Sequence, residues 1–299
     1  MNDTGTDELL CEVRNRVAVI TLNRPAARNS LSDHLTPALR TTIRLCGESD
    51  DIGAVLLTGT GTAFCSGGDV KGMGVSDGKR ALSSTERIAD LQDKQRRLTG
   101  ALAQLRKPTI AALPGVAAGA GLSLALACDL RIAAESAFVT TAYARIGLSG
   151  DYGMSWLLTR LVGTGRAREL MFYPTRVTAA RCLEMGIFNR VVPDAMLAER
   201  AFEMASELAN GPSSVLGLIK DNLNDASNID FLESLDREAV RMIQSAATAD
   251  HKEAVQAFVE KRPHASLADE SLADESLDGE TLAANCASTS RKINDTKDL

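Results

Sequence analysis

Short apolar runs alternate with longer amphipathic stretches along the first two thirds of the chain. Five runs are rich in aliphatic residues, are bounded by turn residues and predict strands: 17–22, 54–58, 109–113, 130–133 and 190–192. The stretches between them repeat apolar residues at helical spacing and predict helices over about 32–47, 84–106, 120–128, 153–162, 166–172 and 178–185. Alternation of this kind predicts an α/β fold.

The last third of the chain has a different pattern. Residues 195–224 and 229–260 predict two long amphipathic helices with no strand between them. After them comes a low-complexity segment in which Ser-Leu-Ala-Asp-Glu is repeated in tandem. Such a composition favours a solvated, disordered extension, and an interaction tail is the alternative. The sequence therefore predicts a core over 1–194, a helical region over 195–264 and a tail over 265–299.

Net charge is concentrated in that tail. Of the formal charge of −6 on the 299 residues, the eight acidic and three basic residues of 265–299 contribute −5. The nearly neutral remainder gives no indication of a nucleic-acid surface. No apolar stretch reaches membrane-spanning length, and the acidic N-terminus lacks the features of a secretory signal. Six cysteines without metal-ligand spacing are typical of reduced thiols, so we expect a cytoplasmic protein that binds neither membranes nor nucleic acids.

Two glycine-rich turns carry the first indication of chemistry. They are Phe-Cys-Ser-Gly-Gly-Asp at 64–69 and Gly-Val-Ala-Ala-Gly-Ala-Gly at 115–121. Small residues let main-chain N–H groups approach a ligand closely, and two N–H groups directed at one point can stabilise an oxyanion. A third turn, 147–153, contains one carboxylate, Asp151, that could face the same point. The pattern predicts a carbonyl-polarising site with a single acid–base residue.

Several familiar motifs are incomplete or absent in the sequence. Leu124 stands where a dinucleotide-binding fingerprint has its third glycine, and no glycine loop continues into the Gly-Lys-Ser/Thr of a P-loop. The three histidines have no metal-ligand spacing, and no Gly-x-Ser-x-Gly elbow accompanies them. Cys65 lies in the first glycine turn, where we interpret it as a small buried filler. Neither nicotinamide chemistry nor a histidine-activated nucleophile is indicated.

In their order and spacing, these segments resemble the crotonase superfamily of enoyl-CoA hydratases and isomerases. The resemblance extends from about Val13 to Arg262. Beside the glycine turns, the segments that carry it are Asn23-Arg24-Pro25, Asn29-Ser30-Leu31, Lys107-Pro108, Cys128-Asp129 and 257–262. It implies a spiral of ββα units and a helical C-terminal region that forms homotrimers, often paired into hexamers. It also implies an acyl-CoA thioester as substrate and no cofactor, since CoA is part of the substrate.

The resemblance also implies roles for individual positions. The main-chain N–H groups of Ser66 and Ala120 would hold the thioester oxygen. The positions that it gives to CoA binding are Arg28, Gly67, Gly68, Asp69, Lys71, Gly119, Phe258 and Lys261. Arg28 and Lys71 would contact phosphates, and the last two residues would come from a neighbouring subunit. For each of these basic residues, a solvated surface charge is the alternative.

Two positions depart from the hydratase pattern. Hydratases of this superfamily use two glutamates, and Ser123 and Tyr143 stand in their places. Water addition needs one group to orient the water and another to supply the α-proton, which a serine and a tyrosine of ordinary pKa do poorly. Asp151 matches instead the acid of isomerases that move a double bond from the 3 to the 2 position. The candidate catalytic groups are therefore Asp151 and Tyr143 with the amides of Ser66 and Ala120.

Two other interpretations of Asp151 are possible. Aryl-CoA dehalogenases of the superfamily have a nucleophilic aspartate at this position, and they also need a histidine on the preceding long helix. Residues 89–104 contain no histidine, and Arg96 lies near the expected place. Alternatively, Asp151 caps the helix that begins near Gly153, because aspartate is a favoured N-cap residue.

Three functions are consistent with the sequence. The first is a double-bond isomerase with the aspartate as acid–base, its pKa raised by the apolar surroundings of Tyr152, Met154 and Trp156. The second is a hydratase or lyase acting on a bulky acyl-CoA, and the third is a catalytically weak CoA-ester binder. The run 211–220 resembles that of isomerases acting on phenylacetate-derived CoA esters, which favours the first. We expect residues 72–96 to shape a mobile acyl pocket.

Overall fold

A six-stranded sheet is the larger of two sheets in the computed structural model, which describes residues 3–69 and 83–262. Its strands lie in the order β1 (Leu9–Arg14), β2 (Val17–Leu22), β3 (Ala54–Gly59), β5 (Thr109–Leu113), β7 (Leu130–Ala134) and β10 (Arg190–Val192). β1 is antiparallel to β2, and the other neighbours are parallel. β2, β3 and β5 are buried along nearly their whole length, which indicates that both faces are covered. The five predicted strands are confirmed to within one residue at each end.

The second sheet has four short strands. They lie in the order β4 (Ala63–Cys65), β6 (Val116–Ala118), β8 (Phe138–Thr140) and β9 (Val177–Thr178). The sequence did not predict them, because two or three residues are too few for a recognisable alternation. β4, β6 and β8 each follow a strand of the larger sheet and precede a helix in the chain. These repeated ββα units confirm the predicted fold class.

Ten α-helices occur in the described part of the chain. They are α1 (Leu35–Glu48), α2 (Ser84–Gln95), α3 (Ala101–Gln104), α4 (Ala120–Leu126), α5 (Met154–Phe172), α6 (Ala179–Glu184), α7 (Leu197–Ala209), α8 (Ser213–Ala226), α9 (Phe231–Ala246) and α10 (Ala249–Glu260). A π-helical turn, Arg96–Gly100, joins α2 to α3. Gly163 has non-helical φ and ψ of 77° and 163° inside α5, at the break predicted between two helices.

The C-terminal helices correct one prediction. The two long helices predicted over 195–224 and 229–260 are four, α7 to α10. α7 ends before Gly211-Pro212, and Thr248 caps α10 by accepting the His251 N–H at 3.1 Å. The residues that α7 buries are Leu197, Ala201, Met204, Ala205 and Ala209. These side chains belong to the main hydrophobic core, and the boundary at residue 194 stays a prediction.

Some predicted features lie outside the described residues. They are Lys71, residues 72–82 of the predicted acyl-pocket segment and the tail 265–299. Within the described residues, no helix combines the length and the apolar character needed to cross a membrane.

Candidate active site

The two glycine-rich turns lie side by side. β4 and β6, which lead into them, are parallel neighbours, with Cys65 paired to Ala117. A Cβ atom added to Gly121 would lie 2.3 Å from the Cys65 carbonyl oxygen, and one added to Gly67 would lie 2.8 Å from the Ala118 carbonyl oxygen. Only glycine allows this approach of one backbone to the other. The sequence motifs at 64–69 and 115–121 therefore form one structural unit.

The amide of Ser66 has a structural role in this unit. Its N–H donates to the Arg28 carbonyl oxygen at 3.0 Å, so it is not available to a ligand. The prediction that Ser66 supplies an oxyanion donor needs correction on this point. The Ser66 hydroxyl likewise donates within the fold, to the Ala27 carbonyl oxygen at 3.3 Å.

The amide of Gly68 has a different orientation. The Leu31 N–H donates to the Gly67 carbonyl oxygen at 2.8 Å, and the Asp69 N–H donates to the Leu31 carbonyl oxygen at 3.2 Å. In a trans peptide the N–H points opposite to the C=O, so the Gly68 N–H points away from Leu31. Among the described residues, no hydrogen-bond acceptor is found for this N–H.

The amide of Ala120 is the second available donor. Ala120 is the first residue of α4, where N–H groups have no partner within the helix. Its nitrogen lies 3.5 Å from the position that a Cβ of Gly67 would occupy. The preceding Gly119 has φ of 50° and ψ of −127°, a conformation that glycine adopts without strain. Gly67, Gly68, Gly119 and Ala120 thus lie together, at the contact between the two turns.

Three side chains meet at the third turn. The Tyr143 hydroxyl donates to Asp151 Oδ1 at 2.6 Å. Ser123 Oγ donates to the Asp151 main-chain carbonyl oxygen at 3.1 Å and lies 3.4 Å from the Tyr143 hydroxyl. Ser123 is on α4, one turn after Ala120, while Tyr143 begins a short 3₁₀ helix. The residues at the two glutamate positions therefore both contact Asp151.

The pKa shifts of Asp151 and Tyr143 show which of the two side chains donates the hydrogen bond between them. Burial raises the pKa of Asp151, and the Tyr143 hydrogen bond partly opposes that increase. Burial, followed by the nearby Asp151 charge, raises the pKa of Tyr143 far above its usual range. Tyr143 therefore stays protonated and donates, while Asp151 is a carboxylate of increased basicity.

The surroundings of Asp151 differ in part from those predicted. Met154 and Tyr152 are buried, as expected for apolar neighbours of an acid. Trp156 is 48% exposed and stacks on the Arg160 guanidinium at 3.6 Å, so it is not the buried apolar residue that was expected. Gly153 occupies the N-cap position of α5 without a side-chain cap, so the Asp151 carboxylate is not a helix cap.

One contact of this segment was not predicted from the sequence. The side-chain carbonyl Oε1 of Gln95 accepts the Tyr152 N–H at 2.6 Å. Arg96, at the place predicted from the dehalogenases, begins the π-helical turn and is exposed. No local pattern marks Gln95, because the contact joins residues that are 57 positions apart.

The predicted CoA-binding positions lie in several places. Arg28 is exposed, and the Asp69 carboxylate accepts from the Arg24 guanidinium at 3.3 Å. Phe258 is 85% exposed on α10, and Lys261 ends that helix with φ of 53°. Their role toward CoA stays a prediction. Cys65 is buried, and burial raises the pKa of its thiol to about 12, which fits a filler rather than a nucleophile.

Within the described residues, no group of three or more His, Cys, Asp or Glu side chains is placed to hold a metal ion. The candidate site contains two backbone amides and one half-buried carboxylate with its hydroxyl partners. Such a site can polarise a carbonyl oxygen and move a proton at the neighbouring carbon.

Known proteins resemble this chain over nearly its whole described length. It is 37% identical over 258 residues to the 1,2-epoxyphenylacetyl-CoA isomerase of Escherichia coli K12, an alignment that covers 85% of this chain and 96% of that protein. It is 31% identical over 260 residues to the short-chain-enoyl-CoA hydratase of Clostridium acetobutylicum, covering 86% and 96%. The structure is similar to that of an enoyl-CoA hydratase from Bacillus anthracis, with a TM-score of 0.80, 32% identity and coverage of 88% and 100%.

The sequence model described as enoyl-CoA hydratase/isomerase matches residues 12–266. This match includes both glycine-rich turns and the Asp151 segment. The chain therefore belongs to the enoyl-CoA hydratase/isomerase family of the crotonase superfamily.

Proposed function

We propose that this enzyme moves the double bond of an enoyl-CoA thioester from the 3 to the 2 position. The observation that carries the proposal is the single carboxylate, Asp151, held at 2.6 Å by the Tyr143 hydroxyl. Both positions that hold glutamates in hydratases carry hydroxyl side chains here, of which Tyr143 donates to the Asp151 carboxylate and Ser123 to its main-chain carbonyl oxygen. A single acid–base group is sufficient for a proton shift, whereas hydration needs a second group that orients water.

The thioester oxygen would lie between the N–H groups of Gly68 and Ala120. Neither N–H has an acceptor among the described residues, and the two turns that carry them are in contact. Two such donors stabilise the negative charge that develops on the oxygen when the α-proton leaves. Gly68 thereby takes the role that the sequence suggested for Ser66.

Asp151 would then carry the proton between two carbons. The carboxylate removes a proton from C2, and the electron pair of that C–H bond forms a dienolate with its charge on the thioester oxygen. The resulting carboxylic acid returns the proton to C4, and the electrons close the C2–C3 double bond and restore the carbonyl. The raised pKa of Asp151 suits both steps, because proton transfer is most efficient when the pKa of the group lies near the working pH.

The relatives support an isomerase and also indicate the strongest competing function. The Escherichia coli relative is named an isomerase of a CoA ester, while the Clostridium relative is named an enoyl-CoA hydratase. A hydratase or lyase acting on a bulky acyl-CoA is therefore the second candidate. A protein that only binds CoA esters is the third.

Separate incubations of a 3-enoyl-CoA and a 2-enoyl-CoA distinguish these functions. The proposal predicts that the 3-enoyl ester becomes the conjugated 2-enoyl ester and that neither ester gains water. Formation of the 3-hydroxyacyl ester from the 2-enoyl ester at a comparable rate would favour the hydratase. Binding without any turnover of either ester would favour the third function.

We also propose that α8 to α10 associate with copies of the same chain as a homotrimer or homohexamer. Five large apolar side chains on these helices are at least 70% exposed in the isolated chain: Phe231, Leu232, Ile243, Phe258 and Val259. Such a density of exposed apolar residues is typical of protein–protein contacts. Phe258 and Lys261 would then be placed to reach CoA bound by the neighbouring subunit, while Arg28 and Lys71 would contact CoA within the subunit. Sedimentation velocity tests the assembly, and a monomer at micromolar concentration would contradict it.

A further inference from the structure

The backbone next to Asp151 has an unusual conformation. Gly150, Tyr152 and Gly153 all have positive φ, of 116°, 51° and 80°. For tyrosine this left-handed conformation is unfavourable, because its Cβ lies too close to the following carbonyl oxygen. Such a conformation persists only where the surrounding groups hold it, and it is often found at functional sites. The contacts that hold this segment therefore bear on the direction of the Asp151 side chain.

Two side chains hold the peptide group between Asp151 and Tyr152 at its opposite ends. Gln95 Oε1 accepts the Tyr152 N–H at 2.6 Å, and Ser123 Oγ donates to the Asp151 carbonyl oxygen at 3.1 Å, an oxygen that also accepts the Met154 N–H at 3.1 Å. Since the N–H and C=O of a trans peptide point in opposite directions, these two bonds together oppose rotation of the peptide plane. The direction of the Asp151 Cα–Cβ bond depends on that plane.

Gln95 is itself held at a fixed place. It is the last residue of α2, whose described residues are all at least partly exposed, and it directly precedes the π-helical turn. Leu98 and Thr99 of that turn are buried, and the Thr99 hydroxyl donates to the Gln95 main-chain carbonyl at 3.3 Å. π-Helical turns within α-helices frequently occur at functional sites. The turn therefore fixes an otherwise exposed helix at the residue that contacts the Asp151 segment.

Tyr152 provides a further fixed point on the other side of the same peptide. Its side chain is 9% exposed, and burial raises the pKa of its hydroxyl while the Arg40 guanidinium partly opposes that shift. A buried phenol beside a guanidinium cannot rotate into water without losing both its packing and that interaction. Gln95 and Ser123 thus hold the peptide between residues 151 and 152, and the buried Tyr152 side chain fixes the chain directly after it.

We propose that Gln95 is a positioning residue that acts with Ser123 as a clamp on the 151–152 peptide. The clamp directs the Asp151 carboxylate at the substrate carbon, and in this respect the inference rests on the proposed proton transfer by Asp151. Neither residue touches substrate in this account. Ser123, at the position of a hydratase glutamate, orients the base instead of transferring a proton.

Three variants of α2 test the clamp. Gln95→Met removes the acceptor at nearly unchanged length, and Gln95→Glu retains an acceptor oxygen. Gln92→Met makes the same change at an exposed residue one turn earlier, and it is the matched control. Hydrogen exchange of the Tyr152 amide, resolved by mass spectrometry, reports on the clamp without any substrate. Steady-state kinetics on a 3-enoyl-CoA report its effect on the reaction.

The clamp predicts that Gln95→Met speeds Tyr152 amide exchange by more than about tenfold, because the amide loses its only acceptor among the described residues. It also predicts that kcat falls about 10- to 100-fold while KM changes little, as expected for a misplaced catalytic group. Gln95→Glu is expected to restore slow exchange, and Gln92→Met to match the parent protein. Ser123→Ala removes the side-chain donor at the opposite end of the peptide, where the Met154 N–H still donates to the Asp151 carbonyl oxygen at 3.1 Å, so it is expected to lower kcat less than Gln95→Met does, without changing KM.

Equal rates of Tyr152 amide hydrogen exchange in Gln95→Met and Gln92→Met would overturn the proposal that Gln95 holds this peptide. Faster exchange in Gln95→Met with an unchanged kcat would overturn its role in positioning Asp151. Should the parent protein isomerise no enoyl-CoA, the proposed function fails, and the exchange measurement still decides whether the clamp exists. In the double variant Gln95→Met with Ser123→Ala, the two losses of kcat are expected to combine to less than their product, because both act on one peptide.

Discussion

The two halves of the candidate site are built in different ways. The half proposed to hold the thioester oxygen consists of main-chain amides in two turns, 64–69 and 115–121, whose backbones are in contact. The half proposed to position and move the proton consists of the side chains of Ser123, Tyr143 and Asp151, which come from three separate elements. In this proposal the backbone half would stabilise an enolate whatever reaction follows. The side-chain half would decide which reaction that is.

Replacement of the base, Asp151, is expected to reduce kcat more than any other change. Asp151→Asn removes the proton carrier and leaves both amides in place, so kcat should fall about 10²- to 10⁴-fold. Binding of a saturated acyl-CoA, measured by calorimetry, should be retained, because the backbone half is intact. Loss of binding together with kcat would show that the two halves are not separable in this way.

Removal of one amide tests the backbone half in isolation. Ala120→Pro deletes the N–H at the first position of α4, a position where proline fits a helix. We expect kcat to fall about 10²- to 10³-fold, as for loss of an oxyanion donor. Ala120→Gly keeps the N–H and should lose far less. Similar kinetics of the two variants would remove Ala120 from the site.

Removal of one hydroxyl tests how the side-chain half sets the pKa of its base. Because the Tyr143 hydrogen bond lowers the pKa of Asp151, Tyr143→Phe should raise that pKa further. The base acts when ionised, so activity is lost as the pH falls through this pKa. The acid limb of kcat/KM should therefore move to higher pH in Tyr143→Phe and stay in place in Tyr173→Phe, an exposed control. A shift to lower pH would contradict the assignment of Tyr143 as a donor.

The smallest effect is expected from a change in packing between the turns. A methyl group at Gly121 would meet the Cys65 carbonyl oxygen at 2.3 Å, so Gly121→Ala should lower the free energy of unfolding by about 1–3 kcal/mol. Gly165→Ala is the control, because a methyl group there has no neighbour within 4 Å among the described residues. Chemical denaturation measures both variants. Equal stabilities would mean that the turns are not in close contact.

The same contrast explains what could be predicted from the sequence. Long apolar runs such as Val17–Leu22 predict strands because burial needs several consecutive residues, whereas Ala63–Cys65 is too short to show a pattern. The glycine turns were recognisable because glycine is required where backbones meet. The C-terminal helices were merged because an amphipathic pattern continues across short breaks such as Gly211-Pro212.

The details of the site depend on contacts distant in sequence. The choice between the Ser66 and Gly68 amides is decided by Arg28 and Leu31, which bond to this turn from nearly 40 residues away. The sequence placed Asp151 and Tyr143 in one site only through the family resemblance. It gave no sign of Gln95, since a glutamine on an exposed helix is ordinary until the fold brings Tyr152 to it.

Deuterium exchange in buffered deuterium oxide tests the single-carboxylate mechanism most directly. Because the partly exposed Asp151 carboxylic acid can exchange its proton with solvent before returning it, the parent protein should introduce deuterium at C2 of unreacted 3-enoyl-CoA and at C4 of the 2-enoyl product. In Asp151→Asn both exchanges should disappear together, since one group serves both carbons. Exchange that persists at either carbon in that variant would contradict the account, because a second acid–base group would then have to exist.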